Sequence, residues 1–563
     1  VIEKTYARHR PSAEVTEELG LPPEFAEETE TDVVVIGAGP NGLIAAAYLT
    51  AAGFEVTLLE RRFEIGGGLA TEEILFPGHY ANTHATYHYM TDYLPPITDF
   101  NLADQGLIYH KPYGQTGGIF GEDFVYLCRS FEDSRDALMT FGIDQANAWG
   151  DLSMRFRTIV DEILAPATYL PPDAPLDLTM ALQRTAVGQD MLEVSEMSAL
   201  ELISSYPLRD SIQATLLYSA CQWGISPRES GMGFMAPLLL DRGTQKAYIH
   251  GGSHRLASSL SRVILRNGGM IIDNCEVVEI TTENGEATGV RMEDGRVVHA
   301  RKAVLSSLDP QSTFLRLLPA EDVPADARST AENWQWDKWS LLTVFFATKG
   351  KPEFRANPNN GMIGLPDPFN TIIGFDGTDD IVSFLDGVER GEISKFAGHF
   401  TVETAFDPTL SQKDGEHVCF FQMPAPYDYP WEEQKDHVIR EVTALLDAHY
   451  EGFASSVVDC VVETPKSIEQ RIPCMKRGSI KHGDYNPLQV GINRPSVDLS
   501  SNRSGIRGLY LGGASVFPGG MVIGGSGYNA AYAICDDHDV KFPFERPDKV
   551  KKYLATYFPD GKD

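Results

Sequence analysis

Residues 37–42 read Gly-Ala-Gly-Pro-Asn-Gly, and Glu60 stands at the end of the next apolar run. In that spacing Gly37 permits a tight turn, Gly39 lets the main chain approach a pyrophosphate, and Gly42 lets a helix pack closely on a strand. Pro40 and Asn41 complete the turn. A helix N-terminus behind it offers unpaired N–H groups and a positive dipole end to phosphates. The Glu60 carboxylate can accept hydrogen bonds from ribose hydroxyls and repels a 2′-phosphate. The chemistry implied is the holding of a dinucleotide.

The flanking elements must place these residues. Val33–Ile36 predicts a short buried strand, Leu43–Ala52 a helix closed by Gly53, and Glu55–Leu59 a second strand. This α/β pattern returns near residue 245. There Gly251-Gly252 precede a helix over Leu256–Arg266, followed by strands at Met270–Ile272 and Val277–Ile280. Gly289–Met292 and Arg296–Ala300 flank Asp294-Gly295, a hairpin signal, and Ala303–Ser306 reads as one more buried strand. Residues 508–527 are again glycine-rich and lead into a small-residue helix from Tyr528. The expected class is α/β with α+β character: a discontinuous Rossmann-like domain over 31–100, 245–310 and 500–540. The insertions 101–244 and 311–499 would build a substrate-binding domain over the ligand. The first contains helical stretches such as Ser153–Leu164, broken at Ala165-Pro166. Residues 1–30 read as an acidic arm and 541–563 as a polar, Lys-rich, peripheral tail.

Composition excludes several classes of function. The formal net charge is −32, so a phosphate backbone finds no basic surface and nucleic acid is not an expected partner. No run of about 18 apolar residues predicts a membrane span, and membrane contact is at most peripheral. The first ten residues lack the apolar core of a secretory signal, and a start at Val leaves room for an upstream piece. Seven scattered cysteines without Cys-x-x-Cys support neither a disulfide framework nor a zinc site. A cytoplasmic, reducing compartment is expected. Only one dinucleotide fingerprint occurs, which argues against a second nucleotide domain for NAD(P)H.

Past Glu60 the chain reads Arg61-Arg-Phe-Glu-Ile-Gly66-Gly67-Gly68-Leu69-Ala70-Thr71. An acid, five residues, Gly-Gly and a Thr four positions later resemble the FAD-containing amine oxidases, carotenoid desaturases and Rab-escort-type proteins. Residues 248–280 resemble their second FAD segment. Gly508-Leu-Tyr-Leu-Gly-Gly-Ala-Ser through Gly527 is similar to phytoene-desaturase-like proteins, the branch with the desaturase-like carotenoid ketolases, as are His482-Gly-Asp and Gln489. The resemblance implies FAD as cofactor. It places the loop 66–71 along the pyrophosphate and ribityl chain, the Val277 backbone at the adenine, Gly513 and Ala514 at the pyrophosphate, and Met521 and Val522 at the flavin ring. Relatives often carry Arg after the glycine pair. Here Gly68 stands there, so a phosphate-neutralising cation must come from elsewhere, Arg61 or Arg62 being the candidates.

The same resemblance implies an oxidoreductase in which a C–H bond gives hydride to flavin N5 and an external acceptor (oxygen, a quinone or a redox protein) takes the electrons. Removing a second hydrogen as a proton needs a polar group in an apolar pocket. His84, Tyr87, His88 and Asp92, in the His- and Tyr-rich stretch after the FAD loop, are the catalytic candidates, with His482; aromatic packing and loop hydrogen bonds are the competing roles. The pair His84/His88 lacks further ligands for a metal site, and no metal is expected. Gly231–Leu240 is strongly apolar, which suits a channel, a membrane dip or core. The acidic surface favours a small apolar, terpenoid or cyclic substrate over a membrane-borne carotenoid. Ketolase-like or amine-oxidase-like oxidation, a redox-neutral isomerase or hydratase, and a non-catalytic lipid-binding escort protein are the alternatives. Oligomeric state is not legible.

Overall fold

In the computed structural model, which describes residues 28–355, 365–559 and 561, the chain builds two seven-stranded sheets. The first runs, in spatial order, Val277–Glu283, Glu286–Met292, Val297–Ser306, Glu28–Ile36, Val56–Leu59 and Met270–Ile272; Leu509–Leu511 pairs with the end of Val297–Ser306. Its centre is parallel, with Glu28–Ile36 between Val56–Leu59 and Val297–Ser306. Strands covered on both faces read as unbroken apolar runs, and Val33, Val34 and Val35 are fully buried.

The glycine turn follows directly. Helix Pro40–Ala51 starts with Pro at its first position, where no intrahelical N–H is lost, and Gly39 offers no capping side chain. A Cβ on Gly42 would stand 2.0 Å from the Gly37 carbonyl oxygen, so only glycine lets helix and strand meet. The helix is buried from Gly42 to Thr50 and packs on helices His254–Arg266 and Gly525–Asp537.

The second sheet runs Val457–Glu463, Ser340–Lys349, Glu416–Ala425, Gly398–Val402, Asn370–Ile373, Gly114–Phe120 and Asp123–Cys128. It is antiparallel apart from the pairing of Asn370–Ile373 with Gly114–Phe120. Helices of residues 131–243 pack beside it, among them Asp210–Cys221.

The mixed α/β class is as expected, with local differences. Arg296–Ala300 and Ala303–Ser306 are one strand, Val297–Ser306, because its first half pairs with Glu286–Met292 and its second with Leu509–Leu511. The helix through Ser153–Leu164 does not break at Pro166. A π-helical turn, Val160–Leu164, shifts the hydrogen-bond ladder so that Pro166 falls at the start of a new helical segment. The tail is not peripheral throughout: helix Asp548–Tyr557 buries Val550, Tyr553 and Tyr557. Of the acidic arm, residues 1–27 lie outside the described residues, and Glu28–Glu30 belong to the first strand. All seven cysteines are free. No described helix is long and apolar enough to cross a membrane.

Candidate functional site

A cavity of about 380 Å³ opens at the carboxyl ends of Glu28–Ile36, Val56–Leu59 and Val297–Ser306, the place where parallel sheets bind ligands. Gly37, Gly39, Pro40, Asn41 and Gly42 line it, as do Glu60, Arg61, Arg62, Gly67, Gly68, Val277, Ala514, Met521 and Val522. The uncapped first turn of Pro40–Ala51 is therefore part of the wall. Gly67 lies against Gly39, where a Cβ would come within 3.1 Å of the Gly39 Cα. Met521 and Val522 hold φ of 65° and 56°, left-handed backbone that non-glycine residues adopt at a cost.

The Glu60 carboxylate accepts the N–H groups of Ala38 (2.8 Å) and Arg62 (2.9 Å), tying the glycine turn to the second strand. Burial raises its pKa and these bonds oppose the rise. Arg61 pairs with Glu276 (3.2 Å) and Arg62 with Glu72 (2.9 Å), so each cation named for the phosphates already has a carboxylate. Five candidates stand behind the lining. Gly66 donates its N–H to the Ala38 carbonyl (2.8 Å), Leu69 donates to Gly66 (2.9 Å), and the Ala70 carbonyl accepts from Thr83 (3.2 Å). The Thr71 hydroxyl donates to Asn82 (2.8 Å). The Gly513 carbonyl accepts the Ser526 hydroxyl (2.7 Å).

Of the catalytic candidates, His84, Tyr87 and His482 line the cavity and His88 and Asp92 do not. The His84 side chain is buried, with Nε2 unpartnered and Nδ1 4.0 Å from Glu463. Burial holds its pKa well below the usual range, so it is neutral. His482 also has an unpartnered buried atom, Nδ1, and its pKa is pushed down to about 4 by burial. His88 turns away: its main chain forms an isolated bridge with Ala247, and it is absent from the lining that its neighbours Tyr87 and Tyr89 share. Its Nδ1 meets the Tyr109 hydroxyl at 2.9 Å. Both oxygens of Asp92 accept from Arg242 Nη2 (2.8 and 3.0 Å) in a separate surface cleft. Among the described residues no three His, Cys, Asp or Glu side chains gather as a metal site.

Sequence reasoning missed much of the wall. Tyr89, Trp223, Gln422 and the segment Ile472–Lys476 all line the cavity. Only Tyr89 carried a signal, as a member of the His- and Tyr-rich stretch; its direction into the cavity carried none. The Tyr89 hydroxyl accepts the Trp223 indole N–H (2.8 Å) and lies 3.4 Å from the Tyr87 hydroxyl. Burial pushes the Tyr89 pKa up to about 12, so the phenol stays protonated.

Tyr89 and Met521 also line a second cavity, of about 340 Å³. Its other walls are mostly apolar, with Leu164, Leu178, Phe234, Leu238, Leu239 and Ile523; Thr168, Ser195 and Arg242 are among the polar side chains that reach it. Part of the apolar run Gly231–Leu240 thus lines a cavity. Asp173 is the one carboxylate in this lining.

A family model described as flavin containing amine oxidoreductase matches residues 41–535. The chain is 34% identical over 544 residues to a limonene dehydrogenase polypeptide of Castellaniella defragrans, covering 93% of this chain and 98% of that protein. It is 25% identical to the neurosporene-forming phytoene desaturase of Rhodobacter capsulatus, over 89% of this chain and 94% of the relative. Among solved structures, the cyclohexylamine oxidase of Brevibacterium oxydans shares the fold at 14% identity, with a TM-score of 0.56 over 90% of this chain and 99% of that one.

Proposed function

This chain belongs to the family of flavin-containing amine oxidoreductases, and on that footing we propose that it dehydrogenates a small apolar molecule, cyclic or terpenoid, and passes the electrons to an external acceptor. FAD is the cofactor of the family, and the residues present fit it. At Gly39, in the cavity wall, an added Cβ would meet no protein atom, so the main chain there lies open to a ligand. The donor set is an uncapped helix start, and two buried imidazole nitrogens, His84 Nε2 and His482 Nδ1, have no protein partner. In this reading Gly39–Gly42 hold the pyrophosphate, Glu60 the ribose and Val277 the adenine, while Met521, Val522, His84 and His482 surround the flavin. Bound FAD supplies the two-electron acceptor for the hydride of a C–H bond.

The observation that carries the substrate class is the largely apolar cavity that lies next to the glycine-lined one, with Tyr89 and Met521 in the wall between them. An apolar cavity of roughly 150 Å³ takes one benzene. At about 340 Å³ this one has room for a single molecule of about twice that size. Leu164, Leu238 and Phe234 orient such a molecule by shape and exclude water. The protonated Tyr89, fixed by Trp223, is an orienting group and not a base.

The test is anaerobic mixing of the yellow holoprotein with limonene, other monoterpenes, cyclohexylamine and putrescine. Bleaching of the flavin by one or more monoterpenes, with none by either amine, is expected. Bleaching by an amine, or by no monoterpene, overturns the reading.

A further inference from the structure

A third cleft, of about 680 Å³, opens to the surface away from the glycine turn. Five cations line it (Lys111, Arg129, Arg157, Arg242 and Lys549) against three carboxylates, Asp92, Glu132 and Asp161. The chain as a whole has 79 acidic and 47 basic residues, so the local balance is opposite to the global one.

Most of these charges are already paired. Arg242 Nη2 donates to both oxygens of Asp92 (2.8 and 3.0 Å), Lys549 meets Asp161 (3.0 Å), and Arg157 meets Asp241 (3.4 Å) behind the wall. Glu132 accepts the Ser130 hydroxyl at 3.2 Å. Lys111 and Arg129 remain: among the described residues neither forms an ion pair within 4.0 Å. Burial holds the Lys111 ammonium below its ordinary pKa, and Arg129 and Arg242 add to that against the pull of Asp92. Two exposed cations without ion-pair partners therefore stand against one such carboxylate, Glu132, which leaves the spot a net positive charge for an anion.

The rim is also built. The Arg129 main chain is fixed by its N–H to the Tyr113 carbonyl (2.9 Å) and by the Gln245 amide on its own carbonyl (2.9 Å). Arg242 is 4% exposed and forms the floor. Its Nε donates to the Tyr89 carbonyl (3.2 Å), and its other side faces the apolar cavity. A guanidinium fork and a lysine point charge across a concave site match a phosphate group.

We propose that this cleft is a second ligand site, in which Lys111 and Arg129 take a phosphate-bearing anion above Arg242. The phosphate belongs either to a soluble ester or to the headgroup of an anionic lipid.

Calorimetric titration of the holoprotein with inorganic pyrophosphate at low salt tests it, beside the double variant Lys111→Gln/Arg129→Gln. Saturable binding is expected, at least tenfold weaker in the variant, because each lost charge-assisted bond is worth roughly a factor of ten. No saturable binding to the wild type, or equal affinity in the variant, overturns the proposal. Binding that releases flavin overturns it too, since the anion is then in the glycine-lined cavity. Co-sedimentation with phosphatidic acid vesicles, against phosphatidylcholine alone, separates the sources. Capture that pyrophosphate competes away identifies a headgroup, and pyrophosphate binding without capture identifies a soluble ester.

Discussion

Tyr89 does two jobs with one side chain. Its ring divides the two cavities, and its hydroxyl satisfies the half-buried Trp223 indole. Replacing Tyr89 by Phe strands that N–H, at a cost of roughly 1–3 kcal/mol. The expected outcome is slower flavin reduction by the apolar substrate and a lower melting temperature, read by stopped-flow absorbance and thermal denaturation. Tyr89→Ala is expected to join the cavities and to admit longer substrates, seen as a shift in the chain length that bleaches the flavin fastest. At this scale the sequence was a partial guide. The density of His and Tyr over residues 84–92 was visible, but the direction of each side chain was not. The pairing of His88 with Ala247, a residue far away in the chain, decides that Tyr87 and Tyr89 face inward and His88 outward. Asp92 is claimed by Arg242 for the same long-range reason.

Two loops meet at the wall of the glycine-lined cavity, and one buried cation joins them. Arg494 is fully buried and donates to the carbonyls of Lys481 (2.7 Å), Asp484 (3.1 Å), Gln489 (3.0 Å) and Ala514 (3.0 Å). His482 thereby stays beside Ala514, and Lys481 beside Gly520, where a Cβ would meet the Lys481 Cα at 2.8 Å. Arg494→Met leaves those carbonyls unpaired and should cost roughly 3–5 kcal/mol. Thermal unfolding and flavin retention on gel filtration check it. Flavin released at temperatures where far-ultraviolet circular dichroism is still native marks a loss of loop position and not of fold. Arg494→Lys is expected to recover only part, since an ammonium cannot reach four carbonyls in a planar fork. Such a staple leaves no mark in the sequence, because its partners are main-chain atoms of any residue type. The strand–turn–helix unit behind Gly37 was readable, because its glycines answer a local steric demand. The π-helical turn before Pro166 was not, because local rules give Pro only as a break.

Over the whole molecule, buried ionisable groups set how stability answers pH. Glu403 is fully buried beside the second sheet and accepts from Asn82 (2.9 Å) and Tyr248 (3.1 Å). Burial pushes its pKa from 4.5 up to about 7. The folded chain therefore holds a proton between those values that the unfolded chain has lost, so stability falls as pH rises from 4.5 to 7 and is flat beyond. Glu403→Gln removes the effect. Urea midpoints at pH 5 and pH 8 should show the wild type losing up to roughly 3 kcal/mol more than the variant over that interval; equal losses would contradict the assignment. Lys246, pushed down to about 7, adds an opposite slope above neutrality in both proteins, which is why the comparison is between them. The two-sheet plan was legible only in outline: recurring glycine and strand signals marked the first sheet, whereas the second joins residues 114–128 to 340–463 by pairings no local pattern shows. The first sheet carries a consequence for biosynthesis. Glu28–Ile36 leaves the ribosome long before Val297–Ser306, and Leu509–Leu511 later still. Until Val297–Ser306 emerges, a nascent chain must hold that edge of Glu28–Ile36 unpaired. The proposed flavin site draws on residues from 37 to 522, so products stalled before Val297–Ser306 are expected to emerge colourless and in need of chaperones.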